Sequence, residues 1–134
     1  MRLKLRFSKF CLSCIKEYKN YLISKGYPST ITNGFVLDTA LESIADIDIT
    51  FIDWINVATA EEDLLADITK DDTTTNSSLT IRQSSYDFII KLRNHLSENV
   101  FDSRVYSQYA VKIIMISALL KSRGLFPLDY YIKH

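Results

Sequence analysis

The sequence predicts a mainly α-helical fold that contains a short two-stranded antiparallel β-ribbon. Residues 2–8 and 78–84 alternate between polar and apolar side chains, which is the period of a β-strand. Each stretch is followed by apolar residues at three- and four-residue spacing, which predicts amphipathic helices. The order strand–helix–helix therefore occurs twice. We expect the two strands to pair, since a lone strand leaves its backbone groups without partners.

Composition is typical of one small domain, or of two very small ones. The 134 residues are 47% hydrophobic and include only 3 glycines and 2 prolines, which argues against disorder. The most apolar stretch, residues 109–120, is interrupted by Lys112 and is shorter than the roughly 20 residues of a membrane span. No continuous apolar region follows the cationic N-terminal stretch, so we expect no signal peptide and a cytoplasmic protein with no membrane partner.

The net charge of zero hides a strong segregation. Residues 1–37 hold seven Lys/Arg and one acid, residues 38–72 hold one base and eleven acids, and residues 73–134 hold eight bases and four acids. Two interpretations stay open. In the first, two anion-binding units are joined by an acidic connector. In the second, the three segments neutralise one another when they pack.

Local signals place the first pair of helices. Ser8 can cap a helix over residues 9–24. The helix is expected to end at Gly26, because glycine adopts without strain the left-handed conformation that ends a helix. After the turn at residues 27–30, Thr30 or Thr32 caps a second helix that extends to Ile44. Glycine at position 34 inside this helix predicts either close packing or a later helix start.

The acidic connector is predicted to be helical at its centre. A short helical turn carries Trp54, and the residues 59–62 (Thr-Ala-Glu-Glu) resemble a capping box that opens a helix through Ile68. Residues 71–78 are polar and without a pattern, which predicts a linker.

The second half repeats the first. A helix is expected from Ser84 or Ser85 to Val100, and Asp102 with Ser103 forms a turn and cap for a long helix that ends before Gly124. The aromatic tail at residues 126–132 has enough bulk to pack back onto the helices.

Few residues suggest chemistry of their own. Cys11 and Cys14 have the spacing of a redox pair or a zinc half-site, but His95 and His134, the only histidines, do not lie at ligand spacing. Two small buried hydrophobes are the favoured interpretation. Without a phosphate loop or a nucleophile–histidine pattern, we predict no enzyme, metal, cofactor or small-molecule substrate.

The first part of the chain resembles the ribbon-helix-helix family (the Arc, Met and CopG-type repressors). The matching features are the strand at 2–8, the helix after Ser8, the turn at Gly26, and residues 32–41 with their small cap and Ala-Leu ending. In that family two units interlock, the paired strands enter the major groove, and the second helices hold phosphates at their N-termini. Here both units would lie in one chain, as residues 1–44 and 78–134 joined by a connector at 45–77. This is similar to fused two-repeat accessory proteins of conjugative plasmids.

The resemblance implies a sequence-specific double-stranded DNA-binding protein of a plasmid or mobile element, acting as a transcriptional repressor or a DNA-transfer accessory factor. It also implies the residues that contact DNA. The base-contacting set is Arg2, Lys4, Arg6, Ser78, Thr80 and Arg82. The phosphate-contacting set is Thr30, Thr32 and Ser103.

Two alternatives remain. Residues 17–44 also resemble the helical core-binding domain of tyrosine recombinases, an all-α bundle that clamps DNA and would here lack its catalytic domain. The non-DNA alternative is an interaction module, such as an antitoxin or a phage-encoded inhibitor. Its acidic connector would mimic nucleic acid, bind a protein partner or mediate self-association.

Overall fold

A computed structural model describes residues 1–63, 68 and 73–133. Its elements are, in chain order, β1 (Arg2–Ser8), α1 (Lys9–Ser24), α2 (Asn33–Ile44), α3 (Trp54–Asp63), β2 (Thr74–Thr80), α4 (Gln83–His95) and α5 (Ser107–Ser122). Two short 3-10 turns (Ile49–Phe51 and Leu128–Tyr130) and a π-helical turn that continues α4 (Leu96–Val100) complete the described structure. The predicted class, mainly α with a small antiparallel ribbon, is confirmed, and the all-α alternative is wrong.

Strands β1 and β2 form an antiparallel ladder in which Arg2 lies opposite Thr80 and Ser8 lies opposite Thr74. The ladder continues beyond the strands, because Met1 and Ile81 exchange backbone hydrogen bonds of 3.0 and 2.8 Å. The predicted pairing is therefore confirmed, but β2 begins four residues earlier than expected and includes most of the predicted linker. Residues 74–76 are exposed, so this end of the strand needs no apolar alternation.

The first helix pair matches its local signals. Helix α1 covers the predicted span, and the Ser8 hydroxyl accepts a hydrogen bond of 3.0 Å from the amide of Cys11. Gly26 has a φ of +106°, the left-handed conformation that favours glycine. Of the two candidate caps for α2, Thr32 is the one used, since its hydroxyl accepts from the amide of Phe35 at 3.1 Å.

Helix α5 is the centre of the core. It packs against α1, α2, α3 and α4, and its residues from Val111 to Leu120 are buried except for Lys112. An apolar surface on all sides is typical of a central helix. None of the described helices is long and apolar enough to cross a membrane. The tail packs back as predicted, with the rings of Phe126 and Tyr130 buried near Trp54.

Two predicted helix starts are wrong. Helix α3 is one helix that begins at Trp54, whose buried indole donates to the Ile49 carbonyl at 2.8 Å. Thr59, the predicted cap, lies inside this helix and donates to the Asn56 carbonyl. The predicted continuation to Ile68 crosses residues 64–67, which lie outside the described residues. Ser103 does not cap α5, because the Ser97 hydroxyl holds the amide of Val105 and delays the helix to residue 107.

Asp38 links the two halves of the chain. Its carboxylate is buried in α2 and accepts hydrogen bonds from the Ser85 hydroxyl at 2.6 Å and from the Arg82 amide at 3.1 Å. Arg82 is the N-cap residue of α4 and provides no side-chain cap of its own. The start of α4 is therefore capped by a carboxylate from the first half.

Gly34 explains how α2 approaches the ribbon. A Cβ at this position would lie 2.0 Å from the carbonyl oxygen of Thr80, the last residue of β2. No side chain fits there unless the backbone moves. The predicted close packing is the reason for a glycine inside this helix.

Replacing Gly34 by alanine is expected to lower the free energy of unfolding by about 1–3 kcal/mol, because the new methyl group overpacks against the β2 backbone. In an open helix the same change stabilises by up to about 1 kcal/mol, so the sign is diagnostic. Urea unfolding measures the change, with the exposed neighbour Asn33→Ala as control. A stabilised Gly34→Ala variant would contradict the close approach.

The Asp38 cap is expected to couple energetically to Ser85. Asp38→Ala should cost about 2 kcal/mol, since it leaves a buried hydroxyl and an amide without their acceptor. In a double-mutant cycle with Ser85→Ala, we expect a coupling energy of about 1 kcal/mol or more. The exposed Asp46→Ala variant is the control and should change stability by less than about 0.5 kcal/mol. Additive losses would show that the two side chains act independently.

Candidate nucleic-acid interface

One side of the β-ribbon is a continuous polar surface. In β1, Leu3 and Phe7 face the core, while Arg2, Lys4 and Arg6 are exposed on the other side. Directly opposed residues share a side of an antiparallel pair, and the register places residues 80, 78 and 76 opposite these three cations. We call this surface the ribbon face. Its members are Arg2, Lys4, Arg6, Asn76, Ser78 and Thr80, and all six are exposed.

The cations of the ribbon face are not neutralised within the described part of the chain. No carboxylate there forms an ion pair with Arg2, Lys4 or Arg6. The Nε atom of Arg6 donates to the Thr74 hydroxyl at 2.6 Å, which orients that guanidinium along the ribbon. Three positive charges with no counter-ion among the described residues form a surface that attracts an anion.

Five of the six predicted base-contacting residues lie together on the ribbon face. The exception is Arg82, which lies beyond the end of β2 at the start of α4. Its guanidinium Nη1 is 3.3 Å from the Glu42 carboxylate, and both side chains are largely exposed. Sequence reasoning missed Asn76, which lies opposite Arg6 in a segment that was predicted to be a linker. The signal available was the β-branched run at residues 73–75, which favours a strand.

The predicted phosphate-contacting residues are separated by the structure. Thr32 caps α2, and Thr30 lies in the exposed turn just before it. Both precede Gly34, which touches Thr80, so this helix start adjoins one end of the ribbon. Ser103 lies in an exposed bend four residues before α5 and caps no helix.

The two cysteines are core residues. Cys11 and Cys14 are buried on α1, and burial raises the pKa of the Cys11 thiol to about 12 and that of Cys14 even higher. They are therefore neutral at physiological pH and pack as small apolar groups. Within the described residues, no three His, Cys, Asp or Glu side chains are grouped to hold a metal ion. His134, the second histidine, lies outside them.

Some acids of the middle segment are used inside the protein. Glu61 forms a half-buried ion pair with Lys112 at 2.8 Å, and the ammonium group lies over the rings of Phe10 and Tyr109. Glu42 pairs with Arg82, as described above. Both pairs join the acidic segment to the second basic segment. Internal neutralisation thus applies to these groups, whereas the cations of the ribbon face have no carboxylate partner among the residues that the structure describes.

Comparison of the chain with protein-family models, with curated proteins and with solved structures gives no match. Inference about function therefore depends on the chemistry of the surface, above all on the ribbon face.

Proposed function

We propose that the ribbon face binds double-stranded DNA in the major groove. The observation that carries the proposal is the arrangement of three exposed cations, none of them ion-paired within the described residues, beside exposed amide and hydroxyl side chains on one side of a two-stranded ribbon. The major groove of B-DNA is wide enough for such a ribbon, and its base edges present a distinct donor and acceptor pattern for each base pair. Phosphates on both sides of the groove attract the cations.

The side chains of the ribbon face suit base edges. Arg2 and Arg6 can donate two hydrogen bonds to guanine O6 and N7, and Asn76 can pair with adenine N6 and N7. Ser78 and Thr80 can each donate or accept, and the threonine methyl can contact thymine. Because β1 supplies the charges and β2 supplies amide and hydroxyl groups, the preferred DNA site is expected to be asymmetric.

We also propose that the chain is a single-chain pseudo-dimer of the ribbon-helix-helix kind, with β1–α1–α2 and β2–α4–α5 as its units. Three contacts support this. Helices α2 and α5 pack together, and the carboxylate of Asp38 in the first unit caps α4 of the second. The start of α2 touches the end of β2 at Thr80, while the cavity at the start of α5 is lined by Leu5 of β1. Each second helix thus begins beside the strand of the other unit.

A DNA-binding pseudo-dimer of this kind is suited to repress transcription or to organise DNA during transfer of a plasmid or another mobile element. Thr30 and Thr32 lie where they can position α2 amides toward a phosphate next to the groove. Arg82 is a weaker candidate for base contact than the other five residues, because Glu42 competes for its guanidinium.

The direct test replaces Arg2, Lys4 and Arg6 together by alanine. Selection from a random pool of duplexes identifies the preferred site, and gel shifts then measure affinity as a function of salt. We expect the variant to lose about a hundredfold or more in affinity for that site. The slope of log affinity against log salt should fall by about 2–3, since three cations no longer displace counter-ions. The selected site should not be an inverted repeat.

A matched control removes three exposed lysines elsewhere, Lys16, Lys91 and Lys133. It changes net charge by the same amount and should keep the sequence preference of the wild type. Unfolding curves of both variants check that stability is retained. If no duplex is enriched, or if both variants bind alike, the ribbon face is not the DNA-reading surface.

A further inference from the structure

We propose a second binding site, for a nucleoside phosphate, at the turn between α4 and α5. Two cavities meet there, and they share Arg104, Val105 and Tyr106 as a common wall. One is polar and cationic, with a volume of about 440 Å³, and the other is aromatic, with a volume of about 330 Å³. Both volumes lie within the range of about 300–1,000 Å³ that small-ligand sites occupy. This site does not depend on duplex binding by the ribbon face.

The first cavity has the chemistry of a phosphate site. Arg93 and Arg104 both line it, and within the described residues neither forms an ion pair with a carboxylate. The Arg93 guanidinium is held in place by hydrogen bonds to the Ser107 hydroxyl at 3.3 Å and to the Asn94 side chain at 3.1 Å. Two guanidinium groups on one cavity supply positive charge and N–H donors for the oxygens of a phosphate.

The start of α5 adds positive electrostatic potential to the first cavity. Tyr106, its N-cap residue, makes no side-chain hydrogen bond to the first turn. Its carbonyl accepts a hydrogen bond from the amide of Tyr109 at 3.1 Å, which does not cover the amides of Ser107 and Gln108. Ser107 and Gln108 line the same cavity as the two arginines. A phosphate bound there would meet both guanidinium groups and the positive end of the helix dipole.

The second cavity has the chemistry of a stacking site. Phe101 and Tyr109 form an edge-to-face pair with ring centroids 5.8 Å apart, and both line the cavity with Tyr106. Tyr106 keeps 54% of its surface exposed, and the Arg104 guanidinium lies 5.0 Å from its ring centre. Aromatic and guanidinium planes are the groups on which proteins stack nucleobases.

The turn is fixed rather than loose. The amide of Val105 donates to the Ser97 hydroxyl at 2.9 Å, and the amide of Phe101 donates to the Leu96 carbonyl at 2.9 Å. Asp102 adopts a φ of +48°, a left-handed conformation that turns the chain just before Ser103 and Arg104. Because the phosphate side and the ring side are joined through Arg104, one ligand that carries both groups fits better than either group alone. The source is a free mononucleotide or a nucleotide of unpaired DNA.

The experiment titrates the full chain with adenosine 5′-monophosphate and follows amide shifts by NMR. Ribose 5-phosphate lacks the base and adenosine lacks the phosphate, so we expect each to bind at least about tenfold more weakly. Tyr106→Ser and Arg104→Gln, both at exposed positions, should each weaken nucleotide binding by about tenfold. Shifts should centre on residues 93–109.

Three controls make the result decisive. Tyr131→Ser removes another exposed tyrosine elsewhere, and the triple ribbon variant removes the cations of the ribbon face, so neither should alter nucleotide affinity. An eight-residue oligo-dA that competes more tightly than the mononucleotide identifies unpaired DNA as the source, and equal affinity per nucleotide identifies the free nucleotide. Absence of saturable binding, equal affinity for ribose 5-phosphate, or equal effects of the two tyrosine variants would overturn the proposal. If the ribbon variant fails to bind duplex but still binds nucleotide, the two sites are separate.

Discussion

Backbone pairing between β1 and β2 is the constraint on which the rest of the structure depends. It joins residues that are 66 positions (Ser8 and Thr74) to 80 positions (Met1 and Ile81) apart in the chain. The pairing places apolar side chains of both strands over the helices and sends the polar ones outward. It also fixes the start of α2, because the Thr80 backbone leaves no space for a side chain at position 34. Without this ladder the ribbon face would not exist as one surface.

The position of charged side chains also follows from the packing of the strands and helices. The acids of the middle segment that form described ion pairs meet bases of the second half, with Lys112 held between Glu61 and two aromatic rings. Packing several elements around one apolar helix brings these opposite charges together, so the segregation seen along the chain is partly cancelled in space. The strand β1 projects its bases away from that region. Within the described residues, the cations without a carboxylate partner therefore include those of the ribbon face, and the arginines of the α4–α5 turn form a second such group.

Features fixed by a few neighbouring residues could be predicted, and features fixed by distant contacts could not. The cap at Ser8 and the stop at Gly26 need only local geometry, so the span of α1 was correct. The alternation in β1 likewise identified its three cations. By contrast, residues 74–77 are exposed or half-exposed, and they form a strand because they pair with β1. Their local sequence has no apolar alternation, so Asn76 was not predicted to lie on the ribbon face. The start of α5 depends on a bond from Ser97, and so Ser103 was misplaced as its cap.

Strand β1 is synthesised long before its partner. At elongation rates of about 5–20 residues per second, a spacing of 68 residues means that β1 waits roughly 3–14 seconds for β2. During this time its backbone edge is open to pairing with strands of other chains, and Leu3 and Phe7 have no complete core to enter. Arg2, Lys4 and Arg6 oppose such contacts through repulsion between like charges. The three cations of the ribbon face would thus also disfavour aggregation of the nascent chain.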